Sequence, residues 1–148
     1  MRELLRTRVG SVALVVLGLA VGCSGGSEDP VDGGPGSPES SLIGTWTGTE
    51  VGGGSTEWTW TFTATTASVS SSGSEVYQAT YVAYPDEDPK RVALTISAPA
   101  EYVGETSRAI YRFDGATLTL AANAPGVSDT PTSFTRGGGA RVFELTKQ

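Results

Sequence analysis

Apolar and polar side chains alternate with a period of two along most of the chain after residue 42. In the clearest segment, WTWTF at 58–62, the rings of Trp58, Trp60 and Phe62 alternate with threonines. A strand places alternating positions on opposite faces, whereas a helix would scatter the three rings around its axis. The same alternation elsewhere predicts eight strands, at 43–51, 56–64, 66–71, 75–84, 90–98, 107–113, 116–121 and 140–147.

Short segments rich in glycine, serine, proline and aspartate separate the predicted strands. Asp114-Gly115 is the strongest turn signal, because glycine tolerates the positive φ that a tight hairpin turn requires. Eight strands joined by short turns form an antiparallel up-and-down meander, and closing this meander into a barrel removes its exposed edges. We therefore predict an all-β domain over 42–148, an antiparallel barrel of about eight strands, with a two-sheet sandwich as the alternative.

The interior of this barrel contains the candidate ligand site. Eight-stranded barrels either hold one small ligand or are filled by side chains, so both a cavity and a solid interior stay open. The facing of strand 75–84 also stays open, since a slip of one residue exchanges its inward and outward sets. The aromatic residues that we predict as candidates to contact a ligand are Trp58, Trp60, Phe62, Tyr77, Tyr81, Tyr111 and Phe113.

The first 41 residues have a different character. Arginines precede the apolar run 9–21, which is shorter than the roughly 20 residues that a membrane-spanning helix needs. This pattern predicts a secretory signal peptide over 1–22. The segment 24–41 consists of glycine, serine, proline and acidic residues with one aliphatic. It has too little apolar surface to fold, so we predict that 23–41 is a flexible spacer.

The motif LAVGC at 19–23 resembles the lipobox of bacterial lipoproteins. The resemblance implies that Cys23 is the lipid attachment site and that its acyl chains anchor the exported chain in a membrane of the cell envelope. Ser24 follows the cysteine where an aspartate is the usual signal for inner-membrane retention, so the resemblance favours the outer membrane. An ordinary signal peptide with an incidental cysteine is the alternative.

Composition excludes several classes of function. The 148 residues include no histidine and one cysteine, which excludes histidine-dependent triads, histidine-ligated zinc and an internal disulfide. The net charge is −6, from 10 basic and 16 acidic residues, which argues against nucleic acid as a partner. A hydrolase would have to use carboxylates, and the acidic run 86–88 lies on a predicted turn, where adjacent acids are normally solvated. We predict no catalytic residues, no metal, no cofactor and no enzymatic activity.

Several motifs carry a resemblance to a known family. The opening LIGTW at 42–46 resembles the G-x-W start of lipocalins. Four further motifs follow in order: DPKRVAL at 88–94, IYRFDGATLTL at 110–120, PG at 125–126 and PTSF at 131–134. Together with LIGTW, this series of motifs is similar to a family of bacterial lipocalin-like domains of unassigned function. The chain departs from that pattern at Ala116, where the family favours aspartate, and at Thr130, where it favours arginine.

The resemblance implies a lipocalin-like barrel with one end closed by Trp46, which shares its motif with Gly44. A basic residue of the last strand would pack over the Trp46 ring, with Lys147 as the candidate or Arg141 in another register. A small apolar ligand is the implied partner of such a barrel. The alternative is a filled, non-enzymatic barrel that contacts an envelope protein through surface loops such as 121–141.

Overall fold

Eight β-strands follow one another along residues 39–148, the part of the chain that the computed structural model describes. Their bounds are β1 (Gly44–Glu50), β2 (Glu57–Phe62), β3 (Thr66–Ser71), β4 (Ser74–Tyr84), β5 (Lys90–Ala98), β6 (Thr106–Asp114), β7 (Thr117–Ala122) and β8 (Arg141–Lys147). Each boundary lies within two residues of the predicted one. Within 39–148, no helix is long and apolar enough to cross a membrane. The signal peptide, Cys23 and the spacer up to residue 38 lie outside the described residues.

Each strand pairs antiparallel with its neighbours in sequence, and β1 also pairs with β8, so that the sheet closes into a barrel. At the closure, Trp46 lies opposite Lys147 and Glu50 lies opposite Phe143. The predicted all-β, antiparallel up-and-down barrel of eight strands is confirmed, and the sandwich alternative is wrong. Each of the eight strands in 39–148 is therefore paired on both sides, which removes the exposed edges of an open sheet.

The seam between β1 and β8 depends on Gly48. A Cβ atom at this position would lie 1.9 Å from the backbone oxygen of Glu144. Only glycine therefore allows the two strands to approach as closely as they do. Sequence alternation does not reveal this requirement, because it arises from a partner nearly a hundred residues away.

The inward face of the barrel follows the predicted alternation. Trp58, Trp60 and Phe62 of β2 are buried together, as are the inward residues of β5 and β7. On β4 the inward set contains Ala79, Tyr81 and Ala83, which settles the facing that the sequence left open. Irregular pairing between Val69 and Ser70, and again between Gln78 and Ala79, marks bulges where β3 and β4 bend.

The outward face includes one apolar patch that a long connection covers. Ile110, Ala121 and Val142 point away from the barrel interior, yet they are buried, and Phe134 of the segment 123–140 packs against them. The guanidinium of Arg112 lies 4.6 Å from the centre of the Phe134 ring. Phe134 therefore holds this loop against the barrel, while most of its other residues between 124 and 139 are exposed.

Candidate functional site

The two ends of the barrel differ in what fills them. At one end the rings of Trp46, Phe62, Tyr81, Tyr111 and Phe113 pack against one another; we call this the closed end. The centroids of Phe62 and Tyr81 are 5.3 Å apart, and those of Trp46 and Phe113 are 5.8 Å apart. Edge-to-face and tilted arrangements of this kind fill space efficiently.

Leu42, which precedes β1, packs against the rings of the closed end. Its side chain is fully buried, and its backbone oxygen accepts a 2.8 Å hydrogen bond from Nε1 of Trp46. Tyr81 donates its hydroxyl to the backbone oxygen of Thr63 at 2.7 Å. The buried polar atoms of Trp46 and Tyr81 thus have partners, as a well-packed interior requires.

Glu39 ties the incoming chain to this end. Its carboxylate, 10% exposed, accepts a hydrogen bond from the hydroxyl of Tyr111 and another from Nζ of Lys90 at 2.7 Å. Burial and the Glu39 carboxylate both raise the pKa of Tyr111, which keeps the phenol protonated as a donor. Glu39 falls within the predicted spacer 23–41, because an acidic residue in a glycine-rich segment has no pattern that predicts a contact.

Lys147 closes the same end from the last strand. Its Nζ lies 5.3 Å from the centre of the Trp46 ring, while Arg141, the other candidate, lies at the opposite end of β8. Gly44 allows this arrangement: it has a φ of +137°, and a Cβ there would lie 2.7 Å from Cε of Lys147. A larger residue at position 44 would displace the lysine from the indole face.

A pocket opens at the other end of the barrel, which we call the open end and define by Trp58, Tyr77, Ser107, Asn123 and Arg141. Its volume is about 80 Å³. The lining is predominantly apolar and consists of Trp58, Trp60, Val69, Tyr77, Ala79, Leu94, Ile96, Ser107, Ala122, Asn123, Ala124, Pro125, Arg141 and Phe143. Ala79 on β4 and Ser107 on β6 lie here, on strands that carry rings at the closed end, and Ala122 lies here on β7.

Aromatic rings form the inner walls of this pocket. The ring of Phe143 packs edge-on against Trp58 and Trp60, with centroids 5.3 Å and 5.4 Å apart. The ring of Tyr102, from the 3₁₀ turn Ala100–Tyr102, packs edge-on against that of Tyr77, with centroids 5.7 Å apart. Burial raises the pKa of Tyr77, so its hydroxyl stays protonated near the pocket.

Arg141 provides the positive charge at the open end. Its guanidinium lies 4.5 Å from the centre of the Trp58 ring and 2.5 Å from the carboxylate of Glu50. Arg136 lies 3.7 Å from the same carboxylate, which is only 7% exposed. The hydrogen bond from Arg141 lowers the pKa of Glu50 and outweighs burial, which acts in the opposite direction. Two cations, Arg136 and Arg141, therefore share one buried anion at the open end.

Two polar atoms near the pocket behave differently from those at the closed end. Nε1 of Trp60 is buried and has no hydrogen-bond partner within residues 39–148. The same holds for Oδ1 of Asn123, whose amide nitrogen donates to the backbone oxygen of Asp129. The Ser107 hydroxyl donates to the backbone oxygen of Asn123 at 2.7 Å. Buried polar atoms without partners are costly, so the open end is less completely paired than the closed end.

The structure separates the predicted ligand-contacting residues into two groups. Trp58, Trp60 and Tyr77 line the pocket. The other four, Phe62, Tyr81, Tyr111 and Phe113, lie at the closed end and do not line it. Phe62 still supports the pocket from beneath, because its ring stacks on Trp60 with centroids 6.1 Å apart.

Sequence reasoning missed the polar members of the open end. Arg141 shares the inward parity of Phe143, and Glu50 shares that of Trp46. A charged residue at an inward position near a strand end was the signal that could have identified both. Ser107 and Asn123 gave no comparable signal, since each is a small polar residue at a strand end.

The chemistry available within 39–148 is limited. No group of three acidic side chains in this range could hold a metal ion. In the acidic turn 86–88, Glu87 forms an ion pair with Arg91. No family model, characterised protein or solved structure matches this chain. The geometry of the barrel and its pocket is therefore the basis of any functional proposal.

Proposed function

We propose that this chain is an exported, lipid-anchored protein of the bacterial cell envelope whose lipocalin-like barrel binds a small apolar ligand at its open end, without catalysing a reaction. The observation that carries the binding role is the pocket of about 80 Å³ lined by Trp58, Trp60 and Tyr77. Its rings and aliphatic side chains favour an apolar ligand, since burying apolar surface is the main source of affinity in such pockets.

The size of the pocket limits the ligand. An apolar cavity of about 150 Å³ holds a benzene molecule, and this pocket has roughly half that volume. A space of this size encloses only part of a chain such as pentane, and a fused ring system does not enter it. Because the pocket opens at the end of the barrel, a longer ligand can extend past Arg141 into solvent.

The anchor is supported by the LAVGC motif at 19–23. Glu39 joins the closed end through Lys90 and Tyr111, so the chain enters opposite the mouth of the pocket. Because Ser24 rather than aspartate follows Cys23, we propose the outer membrane as the location.

Filling the pocket tests the binding role. Ala122 lines the pocket and is buried, so Ala122→Leu should occupy part of the ligand's space. The protein, processed by the cell and purified in mild detergent, is titrated with pentane while the indole resonances are recorded. We expect shifts of Trp58 and Trp60 in the unmodified protein and at least a tenfold weaker response in Ala122→Leu. The matched control is Ala93→Leu on the outer face of β5, which should bind pentane normally.

The outcomes separate the proposed function from its alternative. Equal pentane binding by Ala122→Leu and the unmodified protein would place the binding site elsewhere. No binding by either, together with a ligand-free mass in native mass spectrometry, would contradict the binding role. It would favour a structural or protein-interaction module, which the solid closed end also suits.

The anchor has its own test. Cys23→Ser should move the protein from the membrane fraction to the soluble fraction, whereas Ser24→Ala should leave it in the membrane. Ser24→Asp should shift it from the outer to the inner membrane, if retention follows the lipoprotein pattern. Membrane partition of Cys23→Ser equal to that of the unmodified protein would overturn the anchoring role of Cys23.

A further inference from the structure

Arg141 lies at the mouth of the pocket, where the apolar lining meets solvent. Its side chain is 44% exposed, and it lines the pocket together with Trp58 and Phe143. The guanidinium lies 4.5 Å from the centre of the Trp58 ring and 5.5 Å from that of Phe143. A chain that enters the pocket along these rings therefore passes the guanidinium.

The guanidinium of Arg141 has donors that the barrel does not use. An arginine carries five N–H donors, and within residues 39–148 this side chain makes one hydrogen bond, from Nη2 to the carboxylate of Glu50. A guanidinium binds a carboxylate through two parallel N–H donors. Arg141 can therefore donate to a second anion without releasing Glu50.

The charges around Glu50 do not balance. Its carboxylate is 7% exposed and faces two cations, Arg141 at 2.5 Å and Arg136 at 3.7 Å. One buried anion shared by two cations leaves one positive charge in excess in this group. Among residues 39–148, no acidic side chain lines the pocket itself. An anion that binds at the mouth would therefore meet attraction from the group as a whole.

The hydroxyl of Tyr77 shows which charge prevails at the pocket wall. Burial has the largest effect on its pKa, which it raises, and the neighbouring Tyr102 raises it further. Of the two fully charged groups that act on this hydroxyl, Arg141 lowers the pKa more than Glu101 raises it. Glu101 lies on the 3₁₀ turn and is exposed. The cation therefore outweighs this acid where a ligand would enter.

We propose that the ligand is an amphiphile with a short alkyl chain, which enters the pocket, and a single carboxylate, which Arg141 binds at the mouth. This inference rests on the proposed function, because it specifies the ligand class of the same pocket. A monoanion matches the excess of one positive charge. Its carboxylate stays partly solvated beside a half-exposed arginine, so it avoids the cost of a fully buried charge.

Ligands with the same alkyl chain and different end groups test this inference. Hexanoate is compared with hexan-1-ol, which is neutral, and with hexyl phosphate, which carries more negative charge. The isotope-labelled protein, processed by the cell and purified in a mild non-ionic detergent, is titrated at pH 7, and each affinity is corrected for partition into the micelles. We expect hexanoate to bind about three- to tenfold more tightly than hexan-1-ol. Hexanoate should also bind more tightly than hexyl phosphate, and its preference over the alcohol should shrink as salt is added.

Neutral variants of the charged group should move the two affinities separately. Arg136→Gln and Arg141→Gln each remove one cation, so both should reduce the preference for hexanoate, and Arg141→Gln should abolish it. Glu50→Gln removes the competing anion, so it should tighten hexanoate binding about threefold and leave hexan-1-ol unchanged. Arg112→Gln is the matched control, because Arg112 packs on Phe134 of the loop that carries Arg136. It should change neither affinity.

Each result supports or contradicts the inference. Equal affinity for hexanoate and hexan-1-ol, or a preference that survives Arg141→Gln, would overturn the carboxylate while the apolar pocket stands. Tighter binding of hexyl phosphate would overturn the monoanion. Failure of all three ligands, and of pentane, would remove the proposed function together with this inference. If Arg141→Gln does not fold, the opposite effects of Arg136→Gln and Glu50→Gln on hexanoate still decide, and effects in the same direction would contradict the excess positive charge.

Discussion

The closed end carries rings at inward positions on β1, β2, β4 and β6, while the open end has alanine, serine and valine at several equivalent positions. Trp46, Phe62 and Tyr111 are 3% exposed or less and in mutual contact through Tyr81 and Phe113. Ala79, Ala122 and Ser107 surround empty space instead. The same alternation thus builds a solid half and a hollow half, and side-chain volume alone makes the difference.

The two ends also differ in how they satisfy polar groups. At the closed end, the polar atoms of Trp46, Tyr81 and Tyr111 all have partners. At the open end, Nε1 of Trp60 has none. An interior that serves only stability removes such atoms or pairs them. The two ends therefore differ in polar pairing as well as in packing, since only the open end leaves a buried indole N–H without an acceptor among the described residues.

The largest expected effect comes from truncating the closed end. Trp46→Ala should lower the free energy of unfolding by about 3–5 kcal/mol, because it opens a cavity in a close-packed region. It also leaves the Leu42 oxygen without its donor. Urea unfolding followed by circular dichroism measures the loss. Trp58→Ala, the same change beside existing empty space, should lower stability clearly less, and equal losses would contradict the contrast between the two ends.

Buried charge at the open end gives the next effect. Glu50→Gln should lower the free energy of unfolding at neutral pH by about 1.5–3 kcal/mol, the value of a hydrogen bond to a charged group. The pKa of Glu50 is lowered by folding. Its contribution is therefore present above the unfolded value of 4.5 and is lost as the pH falls through the folded value.

Urea unfolding of both proteins from pH 7 down to pH 3 measures this dependence. The gap between Glu50→Gln and the unmodified protein should close in acid, because protonated Glu50 has no more charge than glutamine. Glu144→Gln, at an exposed position of β8, makes the same chemical change away from Arg141 and should have little effect. A gap that stays constant over this pH range would contradict the proposed role of the Glu50 charge.

The sequence predicts the strands well because alternation with a period of two is a local property. Eight strands, their bounds and the inward face of β2 follow from residues close together in the chain. The pocket does not follow from such local residues. Its volume is the space left between side chains of seven strands, and the register of those strands is set by their pairing. Val69 and Ile96 are apolar residues that a filled core would equally well contain.

The facing of β4 and the role of Glu39 show two other limits. Tyr77 and Tyr84 have opposite parity and equal aromatic character, so only pairing with β3 and β5 decides which faces inward. Glu39 lies in a segment without periodicity, and its partners Lys90 and Tyr111 are more than fifty residues away. Contacts of this kind depend on the closed barrel as a whole.

A change of volume sharpens the comparison between solid and hollow halves. Ala83 is 1% exposed at the closed end, so Ala83→Leu should lower the free energy of unfolding by about 1–3 kcal/mol through overpacking. Ala122→Leu, in the pocket, should change it by less than about 1 kcal/mol, since the added carbons enter empty space. Thermal unfolding of the two variants measures both, and a loss for Ala122→Leu as large as that for Ala83→Leu would mean that the pocket is not open.

The smallest expected effect is that of removing Lys147, the cation that covers Trp46 at the closed end, and Arg141 over Trp58 provides the comparison. Lys147 lies over Trp46 at 5.3 Å, and Arg141 lies over Trp58 at 4.5 Å. Lys147→Met keeps an unbranched apolar side chain and removes the charge, so it should lower the free energy of unfolding by about 0.5–1 kcal/mol. Arg141→Met should lower it further, because it also takes the closest positive charge from the buried Glu50 carboxylate. Urea unfolding at neutral pH ranks the two variants, and equal losses would show that the Glu50 pair adds nothing to the cation above its ring.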